Sequence, residues 1–188
     1  GNLARISLKD VELNVNYLLI ISTSAGLWSY NIGDTIKFTS LEPFRIIVTG
    51  RIKHFLSAFG EHVISEEVEK AMEAATKLHN VAIREFTVAP NINPKEMLPH
   101  HEWYVEFESL PKDMLVFSKA LDKEMTRLNI YYKDLIDGKI LKSLEVISVI
   151  RGGFNQYMKS EGRLGGQNKV PRLSNDRKIA DKLKTIST

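Results

Sequence analysis

Residues 65–78 have the sequence SEEVEKAMEAATKL, which carries the strongest structural signal in the chain. Ser65 suits the start of a helix because its hydroxyl can accept a hydrogen bond from a free backbone N–H. The two glutamates that follow would lie at the positive end of the helix dipole. Apolar residues then recur at helical spacing, at Val68, Ala71, Met72, Ala75 and Leu78. We predict an amphipathic helix over 65–78 that buries this face.

Strand and helix patterns alternate on the C-terminal side of this helix. Residues 81–88 and 101–107 predict two strands, which the proline-containing loop of residues 90–99 would join as an antiparallel pair. The second strand would direct one side chain in two to the same face: Trp103, Val105 and Phe107. A second amphipathic helix is predicted over 114–128, with a buried stripe of Met114, Phe117, Leu121, Met125 and Leu128.

The remaining C-terminal residues complete a recognisable order of elements. Residues 131–138 are predicted to be a connection, 144–150 a strand that Gly152-Gly153 ends, and a short terminal helix is predicted to open at Ser174-Asn-Asp. From residue 52 onward the order is β-α-β-β-α-β. That order predicts a ferredoxin-like arrangement, with helices on one face of a small mixed sheet.

The first 51 residues differ from the rest because they predict mainly strands. Residues 17–23 form a continuous apolar stretch typical of a buried strand, residues 35–39 alternate at period two, and residues 44–49 are rich in β-branched side chains. Gly33-Asp34 and Thr49-Gly50 have the composition of tight turns. The fold class predicted for the whole chain is therefore α+β.

The composition excludes several classes of protein. The chain has 188 residues, 43% hydrophobic and 26% charged, which suits a soluble domain with a substantial core. No apolar run approaches the ~20 residues of a membrane-spanning helix, so no membrane partner is expected. Zero cysteines exclude a disulfide scaffold and thiolate metal sites, and they favour a cytoplasmic location. His100 and His101 are adjacent without a third ligand at a metal-binding spacing, so no metal site is predicted.

Charge is distributed unevenly along the chain. Residues 151–188 hold nine basic and three acidic side chains, a net charge of +6, whereas the rest of the chain carries −3. A basic end of this kind attracts anions such as phosphate, carboxylate or nucleic acid. Composition alone favours the other interpretation, an ordinary solvated surface.

Three short segments contain groups suited to chemistry. They are LWSYNIGD at residues 27–34, GRIK at 50–53 followed by FGE at 59–61, and GGQNKVPR at 165–172. Each segment alone has an ordinary structural interpretation: a turn, a helix entry and a solvated lysine in a glycine-rich loop. Their combination and order along one chain are much more specific.

In this order the segments resemble the end of an adenylate-forming enzyme. The finer resemblance is to the acyl acid amido synthetases of the auxin-responsive Gretchen Hagen family. It rests on AGLWSYNIGD at residues 25–34, on PFR at 43–45 through Arg51, and on QNKVPR at 167–172, which is similar to the family's Gln-Tyr-Lys-x-Pro-Arg loop. One departure is Asn31, which follows the aromatic residue where the family often has a basic one.

The resemblance implies the role of this chain in a longer enzyme. Residues 1–51 would be the β-rich C-terminal end of a large N-terminal domain that is mostly missing, and residues 52–188 would be the lid domain. The full-length enzyme would bind ATP with Mg²⁺, adenylate a carboxylic acid substrate and pass the acyl group to an amino acid acceptor. Because the phosphate-binding loop would lie upstream of residue 1, this chain alone is expected to be inactive.

The resemblance also assigns roles to individual residues. Asp34 would accept hydrogen bonds from the two ribose hydroxyls, a geometrically selective contact for a carboxylate. Tyr30 and Arg51 would contribute to the same ATP site, and Lys53 would be the hinge. Lys169 would stabilise the charge that develops between two anions when the lid closes. Lys159, in NQYMK at 155–159, also resembles the lysine loop, but Lys169 is preferred because Pro171-Arg172 follows it.

Three alternatives remain open at this point. The chain could be the lid of a carboxylate-CoA ligase, because the basic loop does not distinguish thiol from amine acceptors. A nucleic-acid-binding module would combine a similar sheet with a basic tail, but the stacking-aromatic strand signature of RNA-recognition domains is absent, so no nucleic acid partner is expected. A non-catalytic interaction domain would need neither Asp34 nor Lys169.

Overall fold

A computed structural model describes residues 5–51, 55–95, 97–162 and 169–187, without the side chains of Arg51, Phe55 and Ser187. The chain divides into two compact units, Gly1–Lys53 and His54–Thr188. Within the described residues, no helix combines the length and the apolar character that crossing a membrane requires.

The first unit is a three-stranded antiparallel sheet in the order β1-β2-β3. The strands are β1 (Asn16–Ile21), β2 (Tyr30–Leu41) and β3 (Phe44–Arg51). The three predicted strands are therefore confirmed, although β2 starts five residues earlier than expected. Residues 17–21 are only half-buried, because β1 is an edge strand with a single neighbour.

The two turns predicted in this unit are wrong, because Gly33-Asp34 lies inside β2 and Thr49-Gly50 inside β3. Asn31 pairs with Ile20 and Thr35 with Leu18, so three residues of β2 stand opposite one residue of β1. Gly33 has a φ of +83° within this β-bulge. Glycine adopts this positive φ without steric cost, as it does in many turns. Here the glycine lies in a bulge, where a strand bends.

The second unit consists of a small sheet, a short hairpin and five helices among the described residues. The hairpin is formed by β4 (Phe55–Leu56) and β5 (Val63–Ile64). The sheet has the order β6-β7-β8, with β6 (Ile83–Asn91) and β7 (His100–Phe107) antiparallel and β8 (Glu145–Val149) parallel to β7. The helices are α1 (Ser65–His79), α2 (Met114–Leu128), α3 (Ile130–Asp137), α4 (Gly153–Ser160) and α5 (Lys178–Ser187). The α+β class and the antiparallel pair are confirmed.

Helix α1 occupies the predicted residues, with two corrections. Its N-cap is Ile64 and not Ser65, and the Glu67 carboxylate accepts the N–H of Ile64 at 3.0 Å. Val68, Ala71, Met72 and Ala75 are buried as predicted, but Leu78 is 73% exposed. At 3.6 residues per turn, position 79 lies three turns after Val68, so the stripe continues to His79, whose ring contacts Phe117.

Helix α2 matches the prediction at both ends. It begins where the Asp113 carboxylate accepts the N–H groups of Leu115 and Val116, at 2.8 and 3.0 Å. Such a cap satisfies donors that the helix itself leaves free. The predicted stripe faces the core: Phe117, Leu121 and Met125 are buried, and Met114 and Leu128 pack against them.

Two helices of the second unit were missed by pattern alone. Residues 131–138 are not a connection, because Ile130–Asp137 form α3, which the Asn129 side chain caps by accepting the N–H of Tyr132 at 2.7 Å. Gly152-Gly153 ends β8 as predicted but also starts α4. A Cβ on Gly153 would lie 2.5 Å from a methyl of Val149, so the close approach requires glycine.

The sheet of the second unit is covered on both faces, which corrects the expectation of helices on one face. Trp103, Val105 and Phe107 share one cluster with residues of α1, α2 and α3, as the strand pattern predicted. Tyr104 and Val149 belong to a second cluster with residues of α4 and α5. All eight residues of β7 are consequently buried.

Candidate functional site

Asp34, predicted to bind ribose, lies in the β-bulge of the first unit. It stands opposite Arg51 in the register of β2 and β3, so the structure makes these two predicted residues cross-strand neighbours. Bulges redirect side chains, and they are over-represented next to active sites. The side chain of Asn31 supports this one by accepting the N–H of Gly33 at 2.8 Å. The departure from the family pattern at Asn31 therefore has a local structural role.

The other two predicted residues of this region are less closely defined. Tyr30 begins β2 opposite Ile21 and is 52% exposed, so its ring is accessible. Lys53, predicted to be the hinge, lies outside the described residues.

Lys169, predicted to be the catalytic lysine, lies in the second unit at a cavity of about 200 Å³. The cavity is lined by residues of β6, β7, α4 and the lysine segment: Arg84, Glu85, Glu106, Phe154, Asn155, Met158, Lys169 and Val170. Lys159 is on the last turn of α4, exposed and not part of this lining. Of the two candidate lysines, the structure brings Lys169 to a cavity.

The segment that follows Lys169 is attached to the free edge of β6. The N–H of Val88 donates to the carbonyl of Arg172 at 2.9 Å, and the carbonyl of Val88 accepts the N–H of Ser174 at 3.0 Å. The Thr87 hydroxyl donates to the carbonyl of Pro171 at 2.7 Å. Together these bonds make residues 171–174 a short extension of the sheet. Within this extension the side chain of Leu173 is fully buried.

The carboxylates around the cavity have partners of their own. Glu106 accepts the N–H groups of Gly152 and Phe154, at 2.8 and 3.3 Å, and so satisfies the start of α4. Glu85 bonds to the guanidinium of Arg172. Among the described residues, neither carboxylate is within ion-pair distance of the Lys169 ammonium. This ammonium is therefore available for an anion that enters the cavity.

Glu61 has a structural role that sequence alone did not indicate. It is fully buried, its carboxylate lies 2.9 Å from Nε2 of His101, and its second oxygen accepts the N–H of Phe59 at 2.8 Å. The imidazole of His101 stacks against the rings of Phe59 and Tyr132. Burial by itself raises the pKa of Glu61, but the hydrogen bond and charge of His101 and the backbone donors lower it below its ordinary value of 4.5. The FGE segment is thus fastened to β7 by the contact between Glu61 and His101.

Comparison with known proteins identifies the family. The GH3 family C-terminal domain matches residues 66–178, and the GH3 family central domain matches residues 2–51. The chain belongs to the GH3 family. The resemblance inferred from the three sequence segments is therefore confirmed.

Relatives in this family are longer than the present chain. Indole-3-acetic acid-amido synthetase GH3.4 of Arabidopsis thaliana is 28% identical over 183 residues, which cover 89% of this chain and 30% of that protein. Indole-3-acetic acid-amido synthetase GH3.3 of the same plant is 27% identical over 184 residues, again 89% of this chain and 30% of the relative. The chain spans about a third of the length of the curated relatives it matches.

A solved structure shares the fold. The GH3.15 acyl acid amido synthetase superposes with a TM-score of 0.73 at 21% identity, covering 97% of this chain and 36% of that chain. At this level of identity the likeness concerns the fold.

Several basic side chains in residues 151–188, the tail of the chain, form ion pairs with described residues, among them Arg172, Arg177 and Lys182. Arg177 donates to Glu102 at 2.7 Å and to Asp181 at 3.1 Å. Lys182 pairs with Glu161, and Arg172 pairs with glutamates of α1 and β6. Arg172 and Arg177 therefore join residues 151–188 to α1 and to the sheet, and Lys182 joins α5 to the end of α4.

His100, Glu102 and Glu145 form a cluster that the sequence motifs did not indicate. His100 and Glu102 are two residues apart on β7 and so share a face, and β8 places Glu145 opposite Glu102. Nε2 of His100 lies 3.3 Å from Glu145 and 3.9 Å from Glu102. These groups could hold a metal, whereas the sequence predicted no third ligand at a metal-binding spacing from His100 and His101.

The two carboxylates of this cluster are already paired with basic side chains. Lys142 bonds to Glu145, and Arg177 bonds to Glu102. Burial by itself raises the pKa of Glu102, but Arg177, Tyr104 and Asn91 lower it below its ordinary value. A divalent cation would have to compete with both basic side chains, so the geometry is that of an ion-pair network.

Proposed function

We propose that this chain is the C-terminal part of an ATP-dependent acid–amine ligase, which adenylates a carboxylic acid and conjugates the acyl group to an amino acid. The observation that carries the proposal is Lys169, an exposed ammonium at a cavity on a segment anchored to the sheet. Membership in a family whose curated relatives are named amido synthetases supports an amine acceptor over the thiol of CoA. The absence of cysteine supports a cytoplasmic location.

The first step would need a positive charge at the reacting centre. A carboxylate oxygen of the acid attacks the α-phosphorus of ATP, a new P–O bond forms, and the bond to pyrophosphate breaks. Because both reactants are anions, a cation placed where charge develops lowers the barrier. Lys169 suits this role because its ammonium is a compact charge on a flexible stem.

The second step would transfer the acyl group. The amine nitrogen of the amino acid attacks the acyl carbon, an amide bond forms, AMP leaves with the electrons of the broken C–O bond, and the nitrogen loses a proton. The remainder of the full-length protein would hold most of the ATP and acid pockets, because this chain spans only about 30% of its relatives.

The first unit would contribute to nucleotide binding. Asp34, in the β-bulge, would accept hydrogen bonds from the ribose hydroxyls, with Tyr30 and Arg51 on the same sheet beside it. Mg²⁺ would arrive with ATP and be held mainly by its phosphates. Lys53 remains a predicted hinge.

The decisive experiment compares two lysine variants in the full-length protein. Lys169→Ala is expected to lower the rate of acid-dependent pyrophosphate exchange by about 10²- to 10³-fold, the usual cost of losing one charge-stabilising donor. Its melting temperature should barely change, because surface substitutions stay within about 0.5 kcal/mol. Lys159→Ala, the matched control, should retain activity.

Two outcomes would contradict parts of this proposal. If Lys159→Ala abolishes exchange while Lys169→Ala is active, the lysine is misassigned. If neither substitution lowers exchange, the proposed chemistry is wrong.

The isolated 188-residue chain should show no exchange with any acid. Product analysis with an amino acid and with CoA separates an amide from a thioester and so tests the acceptor class.

A further inference from the structure

We propose that Arg172 is a positioning residue for Lys169. Its guanidinium would fix the segment that carries the lysine. It would also pair with Glu85, a carboxylate of the cavity lining that could otherwise pair with the ammonium of Lys169. The inference rests on the proposed function of Lys169, and it adds a residue whose side chain acts at a distance from the reacting atoms.

The guanidinium of Arg172 is held by two different elements. Its Nε donates to Glu69 of α1 at 3.2 Å, and its Nη1 donates to Glu85 and to the carbonyl of Phe86 at 3.0 Å, both on β6. The guanidinium carbon also lies 4.5 Å from the centre of the Phe86 ring. A planar fork that both donates in several directions and stacks on a ring is specific to arginine, and lysine cannot reproduce it.

This anchor limits where Lys169 can lie. Three residues of an extended chain span at most about 10 Å. When Arg172 is fixed, the backbone of Lys169 therefore lies within about 10 Å of the backbone of Arg172. Two features between them restrict it further: Val170 is buried, and the ring of Pro171 fixes its φ. A lysine on a loop without such an anchor would spend most of its time away from the productive position.

The second effect of Arg172 is electrostatic. Glu85 and Glu106 both line the cavity beside Lys169. Glu106 is occupied by the N–H groups at the start of α4, and Glu85 is occupied by Arg172. Without the arginine, Glu85 would attract the Lys169 ammonium and hold it away from an incoming anion.

Arg177 provides a matched control on the same tail. Its guanidinium donates to Glu102 at 2.7 Å and to the carbonyl of Pro90 at 2.9 Å, so it also joins the tail to the sheet through a carboxylate and a carbonyl. However, Arg177 comes later in the sequence than Arg172 and Ser174, whose backbones are hydrogen-bonded to Val88, so these bonds separate it from Lys169. Arg177 is also not part of the cavity lining. Its loss should therefore affect the tail without displacing Lys169.

The test measures pyrophosphate exchange by the full-length protein. Arg172→Lys should lower kcat by about 10- to 100-fold, the usual consequence of a displacement near 1 Å, while the KM for ATP changes less than about twofold. Arg177→Lys should retain kcat within about threefold. Glu69→Gln, which removes one exposed arm of the anchor, should give a smaller loss of kcat than Arg172→Lys and guards against a variant that does not fold.

A double-mutant cycle separates positioning from a general structural role. If Arg172 acts through Lys169, adding Arg172→Lys to Lys169→Ala should cause no further loss of kcat, because the group to be positioned is gone. Independent, multiplicative losses would overturn the positioning role. Full activity of both Arg172→Lys and Glu69→Gln beside an inactive Lys169→Ala would also overturn it, and an active Lys169→Ala would instead refute the proposed function.

Discussion

The two compact units differ sharply in how far they bury their apolar side chains. In the first unit Ile36 and Phe38 are buried, whereas Ile46, Ile47 and Val48 on β3 are 46–66% exposed. Consecutive strand residues point to opposite faces, so β3 presents apolar side chains on both faces of its sheet. In the second unit every residue of β7 is buried between two layers of helices.

This difference separates two sources of stability. The strands of the first unit pair through their backbones and are rich in β-branched side chains, and in the described residues much of their apolar surface is uncovered. The second unit gains its stability by removing such surface from water. We therefore expect substitutions, pH and denaturant to affect the two units unequally.

The largest difference is expected from deleting buried methyl groups. Leu121→Ala removes a fully buried side chain from the core of the second unit and should lower its free energy of unfolding by about 2–5 kcal/mol. Val48→Ala, in a strand residue that is 66% exposed, should cost less than about 1 kcal/mol. Urea denaturation of both variants measures the contrast, and equal losses would remove the distinction between the units.

A smaller effect is expected at the Glu61–His101 pair. Glu61→Gln should cost about 1–3 kcal/mol, because it weakens a buried hydrogen bond to His101. The exposed i,i+4 pair of Glu66 and Lys70 provides the control, and Glu66→Gln should cost less than about 0.5 kcal/mol. Urea unfolding at neutral pH measures both, and equal costs would show that burial of Glu61 contributes nothing.

The same pair predicts a pH dependence. Because folding lowers the pKa of Glu61, its ionised form stabilises the fold at pH values above 4.5, and this contribution is lost as the pH falls through the lower pKa of the folded state. The stability difference between the native chain and Glu61→Gln should therefore shrink from pH 6 toward pH 3. A difference that stays constant over this range would contradict the assignment.

The smallest perturbation uses the two tryptophans as reporters, because each unit contains one. Trp28 in the first unit is 82% exposed, and Trp103 in the second is fully buried. Trp28→Phe should change stability by less than about 0.5 kcal/mol and leave emission at the shorter wavelengths typical of a buried indole. Unfolding of this variant reports the second unit alone. If the native chain shows one transition that coincides with that of the variant, the units do not differ in stability.

Local patterns predicted the long helices well and the short ones poorly. Helices α1 and α2 each have fifteen residues, enough for an apolar stripe to recur four times. Helices α3 and α4 have only eight residues, so their periodicity is too brief to distinguish them from a connection. At the end of the α1 stripe, apolar character favours Leu78 for the buried face, whereas helix geometry favours His79, which is the residue that contacts the core.

The candidate site shows the same division between local and long-range information. The three motifs were sufficient to indicate the family. The preference for Lys169 over Lys159 stays a prediction. The cluster around His100 escaped notice because its members come together only through the register of β7 and β8.

By itself, the sequence determined the α+β class, the long helices and the family, because these depend on residue types at short and regular spacings. Only the tertiary structure decided which side chains meet. Arg172 reaches Glu69 and Glu85 across 103 and 87 positions, and Glu61 reaches His101 across 40. Such contacts are selected by packing of the whole chain, since local propensity is equally compatible with many long-range pairings.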